Sequence, residues 1–124
     1  MNLRPSESPQ LVRVILYVHD IKKVAAFYQT HFGIMPLPGA EAGWLELGAP
    51  GGGCAIALHQ ASVAQKRGSE IKLVFGVRDV PAFKADREAN GLKLGVIHQA
   101  KGFQFANAKD PAGNVIQISS RGLK

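Results

Sequence analysis

Shifting the chain by 59 residues lays its second half on its first. Val18 falls on Val77, Asp20 on Asp79, Ile21 on Val80 and Val24 on Phe83, and Gly33 lands one residue from register on Gly91. Identity between the halves is low. The matched positions nevertheless cover a strand end, a helix cap, an apolar helix stripe and a helix stop together, which is the mark of an internal repeat. At 124 residues the chain is too short for two independent cores, so the copies share one core in a single domain.

Each copy reads as β-α-β-β-β. Leu11 to Val18 (LVRVILYV) is β-branched and apolar over strand length, and Asp20 stands where a helix N-cap belongs. Ile21, Val24, Ala25, Tyr28 and Phe32 follow at helical spacing, and Gly33 suits a left-handed stop. A short extended piece lies around Pro36 and Pro38. GWLELG (43–48) and CAIALHQ (54–60) are strands joined by the loop APGGG (49–53), which lacks the Lys-Ser/Thr ending of a phosphate loop. After a polar linker over 61–70 the pattern restarts with IKLVFGV (71–77). Asp79 then caps a helix carrying Val80, Phe83 and Arg87, with Pro81 tolerated in its first turn and Gly91 as its stop. Strands are expected over 93–99, 103–109 and 115–120, the last two joined by Asp110-Pro111-Ala112-Gly113-Asn114. Module one therefore covers 11–60 and module two 71–120, preceded by a polar tail over 1–10.

The formal net charge is +6, but basic residues occur singly or in pairs such as Lys22-Lys23, with no run of four and no nucleic-acid motif. No nucleic-acid partner is expected. No apolar run approaches the roughly 20 residues that span a bilayer, and no apolar stretch precedes Leu11. The expected setting is cytoplasmic, away from membranes. Cys54 is the sole cysteine, which excludes an internal disulfide and a cysteine-based zinc site, and it reads as a small core filler.

Three segments carry a family likeness: VHDIKKVAAFYQTHFG (18–33), VFGVRDVPAFKADREANG (74–91) and FQFANAKDPAGNVIQI (103–118). Together they resemble the vicinal oxygen chelate superfamily, which includes glyoxalase I, bleomycin-resistance proteins, fosfomycin-resistance enzymes and extradiol dioxygenases. The resemblance spans about residues 11 to 120. It implies an α+β fold in which two β-α-β-β-β modules form an eight-stranded, cup-like curved mixed sheet around a cavity, usually within a homodimer. In metal-dependent members, four ligands, mostly His and Glu, stand on the first and fourth strands of each module. The corresponding positions here are Arg13, Ala57, Lys72 and Gln117, and only Gln117 offers a neutral oxygen. A divalent ion about 4 Å from a cationic side chain would be repelled by roughly 8 kcal/mol at an effective dielectric near 20. No metal cofactor is expected.

Strand alternation selects the same residues independently. Val12, Val14, Leu16 and Val18 form one row of the first strand, leaving Arg13, Ile15, Tyr17 and His19 on the opposite, cup-facing side. In the fourth strand Ala57 and His59 share the cup side. In the fifth, Ile71, Leu73, Phe75 and Val77 pack while Lys72, Val74 and Gly76 face the cup. Gln117 faces it from the last strand, and Trp44 and Glu46 from the third.

Arg13 and Lys72 correspond under the repeat and are expected to meet across a pseudo-twofold axis. One reading makes them a paired cationic anchor for a carboxylate or phosphate, with Tyr17, His59 and Gln117 as hydrogen-bonding groups and Trp44 as an apolar wall. The other pairs Arg13 or Lys72 with Glu46, or lets them reach water. His19 and His31 read as structural or exposed, and His98 lies on an edge-like strand without an identifiable partner. Two functions follow: a metal-independent protein binding a small anionic or polar aromatic molecule in the cup, or a lyase or isomerase of the glyoxalase/dioxygenase type with a non-standard or absent metal site. The sequence leaves open whether the chain is catalytic.

Overall fold

The paired aspartates set both helices. A computed structural model describes residues 4–7, 13–66, 68, 71–121 and 123. Helix α1 (Ile21–Phe32) begins where the Asp20 side chain accepts a bond from the Lys23 amide at 3.1 Å and ends at Gly33, whose φ of 67° a residue with a Cβ adopts only with strain. Helix α2 (Val80–Ala89) repeats the start, with Asp79 accepting from the Ala82 amide at 3.0 Å. Its stop is spread over two residues, Asn90 as the cap and Gly91 at positive φ.

Eight strands divide evenly between two mixed sheets. The first holds β1 (Arg13–Val18), β2 (Met35–Pro36), β3 (Trp44–Gly48) and β4 (Ala55–Gln60) in the order β1-β4-β3-β2. The second holds β5 (Lys72–Gly76), β6 (His98–Ala100), β7 (Phe103–Lys109) and β8 (Val115–Ser119) in the order β5-β8-β7-β6. Each module pairs its first strand parallel with its last and runs its middle strand antiparallel to that last one. The expected α+β class and the two β-α-β-β-β modules are both present, and the repeat extends to strand order.

One apolar core joins the modules, drawing Leu16, Val18, Val24 and Tyr28 from the first and Val80, Leu94, Ile116 and Ile118 from the second. The join is aromatic. Phe32, in the last turn of α1, stacks on Phe75 of β5 at 4.1 Å between ring centroids and lies 5.9 Å from Phe83 of α2. Arg87 of α2 donates to the Thr30 carbonyl at 2.9 Å, satisfying one of the carbonyls left unpaired at the end of α1. No helix among the described residues is long and apolar enough to cross a membrane.

Several local expectations are corrected. Of the strand expected over 93–99 only His98 and Gln99 pair with β7, in a ladder that runs on to Ala100; the segment before them bonds to β7 through the Gly95 amide and the Asn107 carbonyl at 2.8 Å, and its Leu94 and Gly95 carbonyls accept from Lys84 instead. Ile71, expected in the packed row, is exposed because it precedes the first ladder pair of β5, Lys72 with Val115. Cys54 is exposed rather than a core filler, since it belongs to the loop before β4. Pro5–Glu7 form a short 3₁₀ turn within the polar tail. Leu11, Val12 and part of the 61–70 linker lie outside the described residues.

Candidate functional site

Strict alternation gives β1 and β5 one covered and one open side. Leu16 and Val18 are buried, while Arg13, Ile15 and Tyr17 are exposed; likewise Leu73 and Phe75 are half-buried while Lys72, Val74 and Gly76 are exposed. The helices cover one side of each sheet. On the other side apolar surface is left in water, with Ile15 at 42%, Tyr17 at 46% and Val74 at 59% exposure. The members expected to face the cup from β1 and β5 are thus exposed, whereas Ala57, expected beside His59 on the cup side of β4, is fully buried.

On the first sheet, ladder register places Tyr17, His59 and Trp44 side by side on β1, β4 and β3. The His59 ring lies 5.0 Å from Tyr17 and 5.9 Å edge-on to Trp44. A tight turn delivers Trp44: Glu41 and Trp44 exchange backbone bonds at 3.1 Å, and Gly43 between them sits at φ 78°, where a side chain would be strained. The Nδ1 of His59 lies 3.0 Å from the Gln60 carbonyl, which can only accept, so Nδ1 carries a proton and, in the neutral ring, Nε2 offers a lone pair. Trp44 and His59 line a recess of about 450 Å³ with Glu41 and Gln60 at the rim of the sheet.

Arg13 occupies the other end of that face. Its Nε donates to Glu46 Oε1 at 2.5 Å, the ion pair that one of the two readings gives it. The pair is partly exposed and is worth about 0–1 kcal/mol, enough to cancel the charge locally but too little to lock it. Arg13 and Lys72 are on different sheets, and Lys72 lines a recess drawn wholly from module two.

The second sheet carries functional candidates that the sequence reading passed over. Val74, Phe103, Phe105 and Gln117 line a recess of about 510 Å³, with Arg121 at its edge and its guanidinium 5.3 Å from the centre of the Phe103 ring. His98, expected to lack a partner, stacks on Phe105 at 4.9 Å. Gln117 donates to Asn107 Oδ1 at 3.0 Å across the β7–β8 ladder. The missed signal was the alternation of FQFANAK, which puts Phe103, Phe105 and Asn107 on the same face as Gln117.

These residues fit a divalent ion poorly. Of Arg13, Ala57, Lys72 and Gln117, the last alone has a suitable oxygen, and the nearby Glu46 carboxylate is taken up by Arg13. Among the described residues no three His, Cys, Asp or Glu side chains cluster as a metal site would require.

Solved structures place the fold. An antibiotic-binding protein, TnmS3, from Streptomyces sp. CB03234 superposes with a TM-score of 0.76 at 22% identity, covering 90% of this chain and 95% of that one. Lactoylglutathione lyase from Agrobacterium tumefaciens gives 0.72 at 20% identity, covering 94% of this chain and 95% of its own. A glyoxalase/bleomycin resistance protein, also from Streptomyces sp. CB03234, gives 0.68 at 24% identity over 86% and 96%. At such identities the likeness concerns the fold. No curated protein matches the chain significantly. The model of one family matches residues 10–118, nearly the whole chain, and the protein belongs to that family: the Glyoxalase/Bleomycin resistance protein/Dioxygenase superfamily.

Proposed function

We propose that the chain is a metal-independent binding protein for a small, planar, anionic or polar aromatic molecule. The observation that carries this reading is the row Tyr17–His59–Trp44, three ring side chains adjacent on an open sheet face. Such a row offers a stacking surface of large apolar area with polar tips, and the second sheet offers a counterpart in Phe103, Phe105 and Val74. Gln117 and the Nε2 of His59 supply hydrogen bonds, and Lys72 supplies positive charge. The antibiotic-binding neighbour is a precedent for small-molecule sequestration on this fold.

The cup is completed in a homodimer. Ile15, Tyr17 and Val74 leave apolar surface in water on both sheets of a protomer, and a second copy facing these sheets would cover it. The protein acts away from membranes, in the cytoplasm, and its ligand needs no bridging ion.

Trp44 is the only tryptophan, so its fluorescence reports the site directly. Titration with 2-naphthoate should quench it saturably, with affinity falling about tenfold or more in Trp44→Leu, followed calorimetrically, and in His59→Ala. Unchanged affinity in both variants would overturn the reading.

A second reading, an acid-base lyase or isomerase, is favoured by one feature: the free Nε2 lone pair of His59 beside Tyr17. It requires turnover that disappears in His59→Ala while binding survives in His59→Gln.

A further inference from the structure

The positive charge of the chain is concentrated in its second half. Residues 11–60 carry three basic and three acidic side chains, whereas 71–120 carry seven basic and four acidic. All four acids of module two are engaged elsewhere. Asp79 caps α2, Asp86 pairs with Arg87, Glu88 pairs with Lys84, and Asp110 is buried against Tyr28. Lys72, Lys93 and Lys109 have no carboxylate within ion-pair distance among the described residues.

These three lysines line one recess of about 610 Å³. Lys72 on β5 and Lys109 on β7 flank Val115 in a single ladder row, two strand spacings or about 10 Å apart. Lys93 comes from the chain that follows α2. That segment is held in place: Lys84 donates to the Leu94 and Gly95 carbonyls at 3.2 and 3.0 Å, and the Gly95 amide bonds to the Asn107 carbonyl. Leu94, Ala108 and Val115 give the same recess an apolar lining. Low-dielectric walls beneath three like charges focus a positive potential in the recess.

We propose that this recess is a subsite for a dianionic head group, as a phosphate monoester carries, attached to a compact apolar body. Two negative charges match three lysines lining one recess better than one, and the apolar part of the lining takes the body of the ligand. Lysine acts here as a mobile point charge, so the site selects on charge and not on the bidentate geometry an arginine would impose. The inference rests on the cup reading only through Lys72, which both share.

The test uses the full chain and the probes phenyl phosphate, phenol and inorganic phosphate, followed by amide NMR shifts. Phenyl phosphate should bind saturably, at least about tenfold more tightly than phenol or inorganic phosphate, with shifts gathered at 93–95, 107–109 and 115. Affinity should fall about tenfold or more in Lys72→Gln/Lys109→Gln, and fall with added salt, while Lys22→Gln on α1 binds as before. Equal binding of phenol, or unchanged affinity in the double variant, would overturn the subsite. Trp44 reports the aromatic row separately, on the other sheet. Shifts at the lysine row, with 2-naphthoate failing to quench Trp44, would keep this subsite and overturn the aromatic cup; quenching by 2-naphthoate without lysine-row shifts on phenyl phosphate would do the reverse.

Discussion

The Tyr28 hydroxyl, in the helix of module one, donates to the Asp110 carboxylate in the closing turn of module two across 2.7 Å, with both side chains buried. Asp110 also accepts from the Ala112 amide at 2.9 Å and from the Asn114 amide and side chain at 2.8 and 3.0 Å. Burial, with the carboxylate beside it, holds the Tyr28 phenol far above the usual tyrosine range, so it remains a donor. Tyr28→Phe should cost about 1–2 kcal/mol, since the carboxylate keeps its other donors. Asp110→Ala should cost about 3 kcal/mol or more, because it strands four donors at once. Urea unfolding of the two variants checks the order.

Phe32 tests whether the modules share one core. Phe32→Ala should lose about 3–5 kcal/mol through the cavity left against Phe75 and Phe83. Unfolding should remain a single transition in calorimetry. Two resolved transitions would mean that the modules fold separately.

Much of this join is legible in the sequence alone. The offset of 59 identifies both caps and both helices, and strand parity identifies the open faces, because a period of two or 3.6 is a local property. What stays illegible depends on distance. Strand parity names Glu46 as a partner but does not choose between Arg13 and Lys72; register does, since Glu46 stands on β3 next to β4, within reach of Arg13 on β1. The aromatic recess on the second sheet escapes notice because Phe103 and Phe105 read as ordinary strand apolars until their register with Ser119 and His98 is known.

His31 should make stability depend on pH. Burial, with the Arg87 guanidinium 3.4 Å away, holds it below the ordinary histidine range, and Phe27 packs against its ring. Above about pH 6.5 both folded and unfolded forms are neutral and the residue contributes nothing to the slope. As pH falls below that value the unfolded chain takes up a proton first, so stability declines until the folded pKa is passed. His31→Gln should flatten this decline in thermal melts taken between about pH 7 and pH 5.

Glu46 holds Arg13 in a weak, partly exposed pair. Glu46→Gln removes a negative charge from the open face and releases the guanidinium, so affinity for 2-naphthoate should rise about two- to fivefold, in line with a pair worth under about 1 kcal/mol. Arg13→Gln should lower it by a similar factor of about two to five, because the Glu46 carboxylate is then left uncompensated on the same face. Isothermal titration of the two variants separates these outcomes.

Metal independence is tested most directly by binding of 2-naphthoate to chelator-treated protein, read by Trp44 fluorescence, with and without added zinc, nickel or iron(II) and with metal content measured on the same samples. A metal-independent binding protein shows the same saturable affinity in every sample and no stoichiometric metal when purified without chelator. Binding that appears only when metal is restored, with one ion retained per site, would contradict that claim.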